Sequence, residues 1–174
     1  RSHERGHAVG RADMHALPFA DRTFAAVRAD RVVQHVADPH RAFDELVRVT
    51  SGRIVVADPD QSTLSIVVPG APAALVDAVT RLRAQVGYRN GTFIREVVDT
   101  FDERDDAELT VDEFTLALTN PDDAFGLPTW VDYWRAEGEF TDADVRVWDD
   151  AMQRAREAGG FEFALQYVVV AATV

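Results

Sequence analysis

The tightest constraint on this chain is a strand–helix–strand rhythm near its start. Thr23-Phe24-Ala25-Ala26-Val27-Arg28 is a short apolar run bounded by polar residues, the pattern of a buried strand. Asp38-Pro39 then opens a helix, with Asp38 placed to cap the free amides and Pro39 where a helix tolerates it. Ala42, Phe43, Leu46 and Val47 share one helical face, and Ser51-Gly52 is expected to stop the helix. Arg53-Ile54-Val55-Val56-Ala57-Asp58-Pro59 reads as a second buried strand, ended by Pro59. Strand, helix, strand in this order implies a right-handed parallel crossover. Such sheets bind ligands at the carboxyl ends of their strands, here residues 28–35 and 58–62.

The second half continues in the same style. Leu75, Val79, Leu82 and Val86 mark a helix after Pro72, and Phe93, Ile94, Val97, Val98 and Phe101 mark another. The acidic stretch from Asp99 to Glu113 reads as a solvated helix end and turn. Leu109 and Val111, then Phe114, Leu116 and Leu118, alternate with polar residues but slip phase once, which suggests a bulge or two short strands. Thr141-Asp142-Ala143-Asp144 resembles a capping box for a helix striped by Val145, Trp148, Met152 and Ala155 and ended by Gly159-Gly160. Phe161 to Val174 is a Val-rich last strand, expected at the centre of the sheet.

Composition narrows the functions. A chain of 174 residues suits one domain with a real core. It has no cysteine, which excludes disulfides, thiolate chemistry and Cys-based metal sites and fits a cytoplasmic protein. Net charge is −12, with every one of the 18 basic residues an arginine, so neither nucleic acid nor an anionic membrane is an expected partner. No apolar run approaches the roughly 20 residues that span a bilayer. His3 and His7 have the i, i+4 spacing of a helical metal pair, but no third ligand accompanies them and no metal is expected.

At this point the residues carry a family resemblance. Gly10-Arg11-Ala12-Asp13-Met14-His15-Ala16-Leu17-Pro18-Phe19-Ala20-Asp21-Arg22-Thr23-Phe24 resembles the "G-D-A-x-x-L-P-F-x-D-x-x-F-D" segment of class I S-adenosylmethionine-dependent methyltransferases, of the small-molecule type found in quinone biosynthesis and antibiotic tailoring. Val27 to Pro39 is similar to that family's "V-x-x-x-x-V-L-x-H-x-x-D-P", and Arg48 to Asp60 to its "R-V-L-K-P-G-G-x-x-V-x-x-D-x-D". The resemblance implies a Rossmann-like α/β fold, mostly parallel, with an antiparallel C-terminal strand. The sequence departs from the family in two respects: none of its residues forms a G-x-G-x-x-G or G-x-G-x-G turn, and the acid that ends the family's second strand and holds the ribose hydroxyls is not among them. By family spacing Arg1 lies just after the second strand, so the N-terminal strands of the fold are expected to be missing from a single partial domain, 1–174. Residues 122–158 are expected to form an inserted helical lid.

The resemblance also distributes roles. It assigns Asp13 to the adenine amino group and Met14 to the adenine face, with capping of the next turn the plainer reading of Asp13. Arg28, Ala29 and Asp30 would form the wall beside the methionine part of the cofactor, although Asp30 or Arg31 suits a surface ion pair equally. Gln34 would face the acceptor. His35 is the candidate general base, against a packing role. Asp58 and Asp60, past the second strand, would touch the acceptor or simply stabilise a turn. Trp130, Tyr133 and Trp134, with Phe125, would cover a planar acceptor or form a small core of their own.

Methyl transfer from S-adenosylmethionine to a small organic acceptor is thus the expected function. The alternative is a cofactor-free binding or assembly module, or a non-methylating relative on the same fold. Loss of two strands would bare a sheet edge, so a homodimer covering it is expected.

Overall fold

The computed structural model describes residues 10–104 and 107–174, so His3 and His7 lie outside the described residues. Its centre is a four-stranded sheet in the order β1–β2–β4–β3. Strand β1 (Phe24–Asp30) runs parallel to β2 (Thr50–Val67), and the crossover between them is α1 (Pro39–Val49). Asp38 caps α1 by accepting from the Arg41 amide, as expected of its position before Pro39. Strand β4 (Glu162–Thr173) lies between β2 and β3 (Leu109–Leu118), antiparallel to both, so the last strand is central.

Three local expectations change. Gly52 does not stop α1: the chain passes from Val49 straight into β2, and Gly52 lies within that strand at an irregularity where Ser51-Gly52 is accommodated opposite Ala25. A Cβ on Gly52 would stand 2.6 Å from the Ala25 carbonyl oxygen, so the close approach needs glycine. Nor does Pro59 end its strand, because β2 continues to Val67. Ala57 turns its carbonyl toward β1, accepting from the Arg31 amide, and Pro59 faces the same side two residues later. Pairing with β1 has stopped there, at Asp30–Ala57, so no partner goes without the missing N–H.

The phase slip in β3 is not a bulge. Its ten residues pair with β4 without a break in register. The apolar side chains change face because the core does. Leu109 and Val111, opposite Ala172 and Val170, pack on one face with Phe43, Phe93, Ile94 and Phe101 from α1 and α3 (Phe93–Asp102). Leu118, opposite Phe163, packs on the other face with Val79 of α2 (Ala73–Leu82) and Trp148 and Met152 of α5 (Asp142–Ala158). Strand β4 makes the same exchange, with Phe161, Phe163 and Leu165 on one face and Val168, Val170 and Ala172 on the other. Each half of the sheet is thus buried on the side where its helices lie.

The segment 122–158 contains α4 (Trp130–Ala136) and α5. A capping box between Thr141 and Asp144 starts α5, and Gly159, at φ 78°, ends it. Trp148 is fully buried and donates to the Leu127 carbonyl, so the segment joins the main core. Among the described residues no helix is long and apolar enough to cross a membrane.

Candidate functional site

Where β1 ends and β2 runs on past it, the chain forms a cavity of about 320 Å³. It is lined by Asp30 and Arg31 after β1, Gln34 and His35 of the following 3-10 turn, Pro59 and Gln61 of β2, and Leu165 and Tyr167 of β4. Arg83, Tyr88 and Phe125 complete it. This is the carboxyl end of the parallel pair, where the strand–helix–strand reading put the ligand. Two of the lining residues, Arg31 (φ 55°) and Phe125 (φ 52°), are non-glycine residues in the left-handed region, a local cost that recurs at binding sites.

Of the residues expected at the site, four line this cavity: Asp30, Gln34, His35 and Phe125. Asp30 pairs with Arg28 at 2.7 Å and with Arg31 at 3.6 Å, so the acidic wall is also the surface ion pair. Gln34 is buried and accepts a long 3.4 Å hydrogen bond from the Gln61 side chain. His35 is exposed, its ring 5.3 Å from that of Tyr88. Ala29 is a core residue, its methyl packed with Ile54 and Val56.

Asp58 is 1% exposed, on the same face of β2 as Ile54 and Val56. Neither carboxylate oxygen has a hydrogen-bond partner. Burial pushes its pKa up to about 7, with the backbone amides of Val33 and Gln34 opposing from beyond hydrogen-bond geometry. Asp60 is differently placed. It accepts from the Ser62 amide and hydroxyl and from Arg95 Nε at 2.7 Å. Burial alone would raise its pKa, but the hydrogen bonds from Ser62 and Arg95 outweigh it and hold the carboxyl below its usual range. Arg95 is shared with Glu113 and Gln166, so Asp60 ties β2, α3, β3 and β4 together rather than lining the cavity.

Asp13 and Met14 lie elsewhere. Asp13 is exposed and accepts from the His15 amide and ring, which together hold its pKa below the usual value. The His15 Nε2 accepts from the Asp38 amide, which leaves Nδ1 as the donor to Asp13. Asp13, His15, Asp38 and Arg41 line a separate hollow of about 270 Å³. Met14 packs against the core beside α1 and α3.

Trp130, Tyr133 and Trp134 line another hollow of about 390 Å³ with Val86 and Gly87. Trp130 is packed on the core, while Tyr133 is 61% exposed. Among the described residues, no cluster of three or more His, Asp or Glu is placed to hold a metal ion.

Sequence reasoning missed Arg83. It follows Val79 by four residues, on the buried face of α2, where an apolar residue was expected to be continued by Val86. A π turn at Arg83–Gly87 widens the helix, leaving Arg83 1% exposed and Val86 56% exposed. A charged residue on an apolar stripe was the available signal.

Comparison with known proteins places this geometry in a known fold. Residues 1–56 match the family model described as a methyltransferase domain. A methyltransferase of Mycolicibacterium vanbaalenii, itself uncharacterised, is 45% identical over 49 residues, 28% of this chain and 19% of that protein. The chain spans no more than about a quarter of the length of the curated relatives it matches. Among solved structures it is similar to the YcgJ protein of Bacillus subtilis, with TM-score 0.55 and 16% identity over 99% of this chain and 74% of that one. It is also similar to a Bacillus halodurans protein assigned as a methyltransferase, with TM-score 0.53 and 15% identity over 94% and 69%. The resemblance read from the sequence therefore holds: the chain has the Rossmann-like α/β fold of the class I methyltransferases.

Proposed function

We propose that the protein to which these residues belong transfers a methyl group from S-adenosylmethionine to a small organic acceptor, in the cytoplasm. The observation that carries this reading is the cavity where β1 ends beside β2, with Asp30, Arg31, Gln34 and His35 of its lining inside the segment that matches the methyltransferase domain. The residues present suit the cofactor on one side. Asp13 keeps an exposed carboxylate able to accept from an exocyclic amine, and Asp30 and Arg31 form a polar wall where β1 ends. The glycine-rich turn that would hold the cofactor's other side does not occur in these 174 residues.

Bound, S-adenosylmethionine supplies an already activated methyl group. The chain's own work is positioning and proton handling. Pro59, Leu165 and Tyr167 limit the space beside the acceptor, and the Gln34–Gln61 pair offers a polar edge to orient it. His35, exposed at the rim, accepts the proton of an acceptor hydroxyl or amine at its free ring nitrogen.

Titration calorimetry of the intact gene product with S-adenosylhomocysteine tests the reading. Binding in the micromolar range, with a rise of several degrees in Tm at saturation, is the expected result. Absence of both overturns it. Absence of both effects is what the alternative, a binding module that uses the fold without the cofactor, predicts.

A further inference from the structure

The cavity contains a cation that the described residues do not neutralise. Arg83 lines it and is 1% exposed. Its Nε and Nη1 have no hydrogen-bond partner, and Nη2 has only a 3.4 Å contact with the Tyr88 hydroxyl. The carboxylates nearest the cavity are engaged elsewhere or hidden: Asp30 with Arg28 and Arg31, Asp60 with Arg95, and Asp58 under β2's own face. What surrounds the guanidinium is a set of rings, with centroids at 4.5 Å (Trp130), 5.1 Å (Phe163), 5.3 Å (Tyr88) and 5.9 Å (Phe125). Ring faces return only part of the hydration that a buried guanidinium gives up. Burial alone already pushes the Arg83 pKa down. A structural arginine is ordinarily buried with a carboxylate or carbonyl partner, and this one has donors to spare.

We propose that the cavity binds a small planar monocarboxylate, its anionic group paired with Arg83 and its flat body against Tyr88, Phe125 and Tyr167. A guanidinium is planar and presents parallel N–H donors, which match a carboxylate. The aromatic lining suits a flat apolar body, and about 320 Å³ admits one ring with a short substituent. Of the two arginines that line the cavity, Arg31 stands against Asp30 and Arg83 has no carboxylate, which favours a single negative charge over a phosphate dianion. This identifies the acceptor class and so rests on the methyl-transfer reading, but the anion site is measurable without it.

Benzoate and its neutral analogue benzamide are the probes, titrated into the intact protein by calorimetry. Benzoate is expected to bind at least tenfold more tightly. In Arg83→Met that preference disappears while benzamide affinity stays within about twofold. Equal affinity of the two probes for the parent protein, or a preference that survives in Arg83→Met, overturns the proposal. If Arg83→Met fails to fold by circular dichroism, Arg83→Lys decides. A severalfold loss of benzoate affinity is expected there, because an ammonium lacks the parallel donors, and an unchanged affinity overturns the proposal. S-adenosylhomocysteine is titrated in parallel: its failure with benzoate preference intact sinks the methyl-transfer reading alone, and the reverse sinks the anion site alone.

Discussion

The Arg83 guanidinium lies 4.5 Å from the centre of the Trp130 ring, and a Cβ on Gly87 would come within 2.9 Å of the same ring. The π turn and α4 therefore meet through one aromatic face, with the cation on it and a glycine at its edge. Trp130→Leu keeps apolar bulk but removes the face. It is expected to lower stability by about 2 kcal/mol, the scale of a desolvated cation–π contact plus lost packing. Urea denaturation measures it. A loss near zero would mean that the rings of Tyr88 and Phe163 suffice for Arg83.

Asp58 gives a pH signature whose sign is unusual for an aspartate. Its folded pKa, pushed up to about 7, lies above the ordinary value of 3.8. The folded state thus holds a proton that the unfolded state releases between these values, so this residue's contribution falls as pH rises through that window and stays low above it. Asp58→Asn is expected to match the parent near pH 4 and to exceed it at pH 8. The upper bound is about 4 kcal/mol, from roughly three units at 1.36 kcal/mol each. Paired urea titrations at both pH values check this, and equal stability at pH 8 would contradict it.

At Gly52 the obstacle is backbone. A methyl group there would press on the Ala25 carbonyl oxygen, which can yield only if β1 moves away from β2. Gly52→Ala should cost about 1–3 kcal/mol, the range for overpacking at a rigid contact. Gly10→Ala, with open space around it, is the matched control and should change little in the same melting experiment.

Among the described residues β1 is paired on its β2 side only, and Ala25 and Ala26 are exposed there. A homodimer formed over that edge remains our proposal. Light scattering on the 174-residue chain should give twice the monomer mass, and Ala26→Lys should shift it toward the monomer. A clean monomer of the parent at high concentration would remove the idea.

Elements with local punctuation were readable from sequence. Asp38-Pro39 and Thr141–Asp144 announce helix starts through groups that bond their own neighbours, and Gly159 announces an end through its own φ. Features that depend on distant partners were not. Pro59 looked like a stop because the sequence does not reveal that β1 has already ended beside it. The phase slip in β3 looked like a bulge because the exchange of core faces is set by α3 at one end and α5 at the other. The site was half legible. Asp30, Gln34 and His35 follow a strand whose position the sequence marks, whereas Arg83 enters through a π turn, which has no clear sequence signal.

The central position of β4 has a consequence for synthesis on the ribosome. β2 and β3 are made before β4 and do not pair with each other; each bonds to a strand whose last residue is Thr173. Their edges stay open until that segment emerges, and the β1–α1–β2 unit waits without half of its core. Nascent chains of this protein should therefore depend on chaperone shielding until nearly all of these residues have been made.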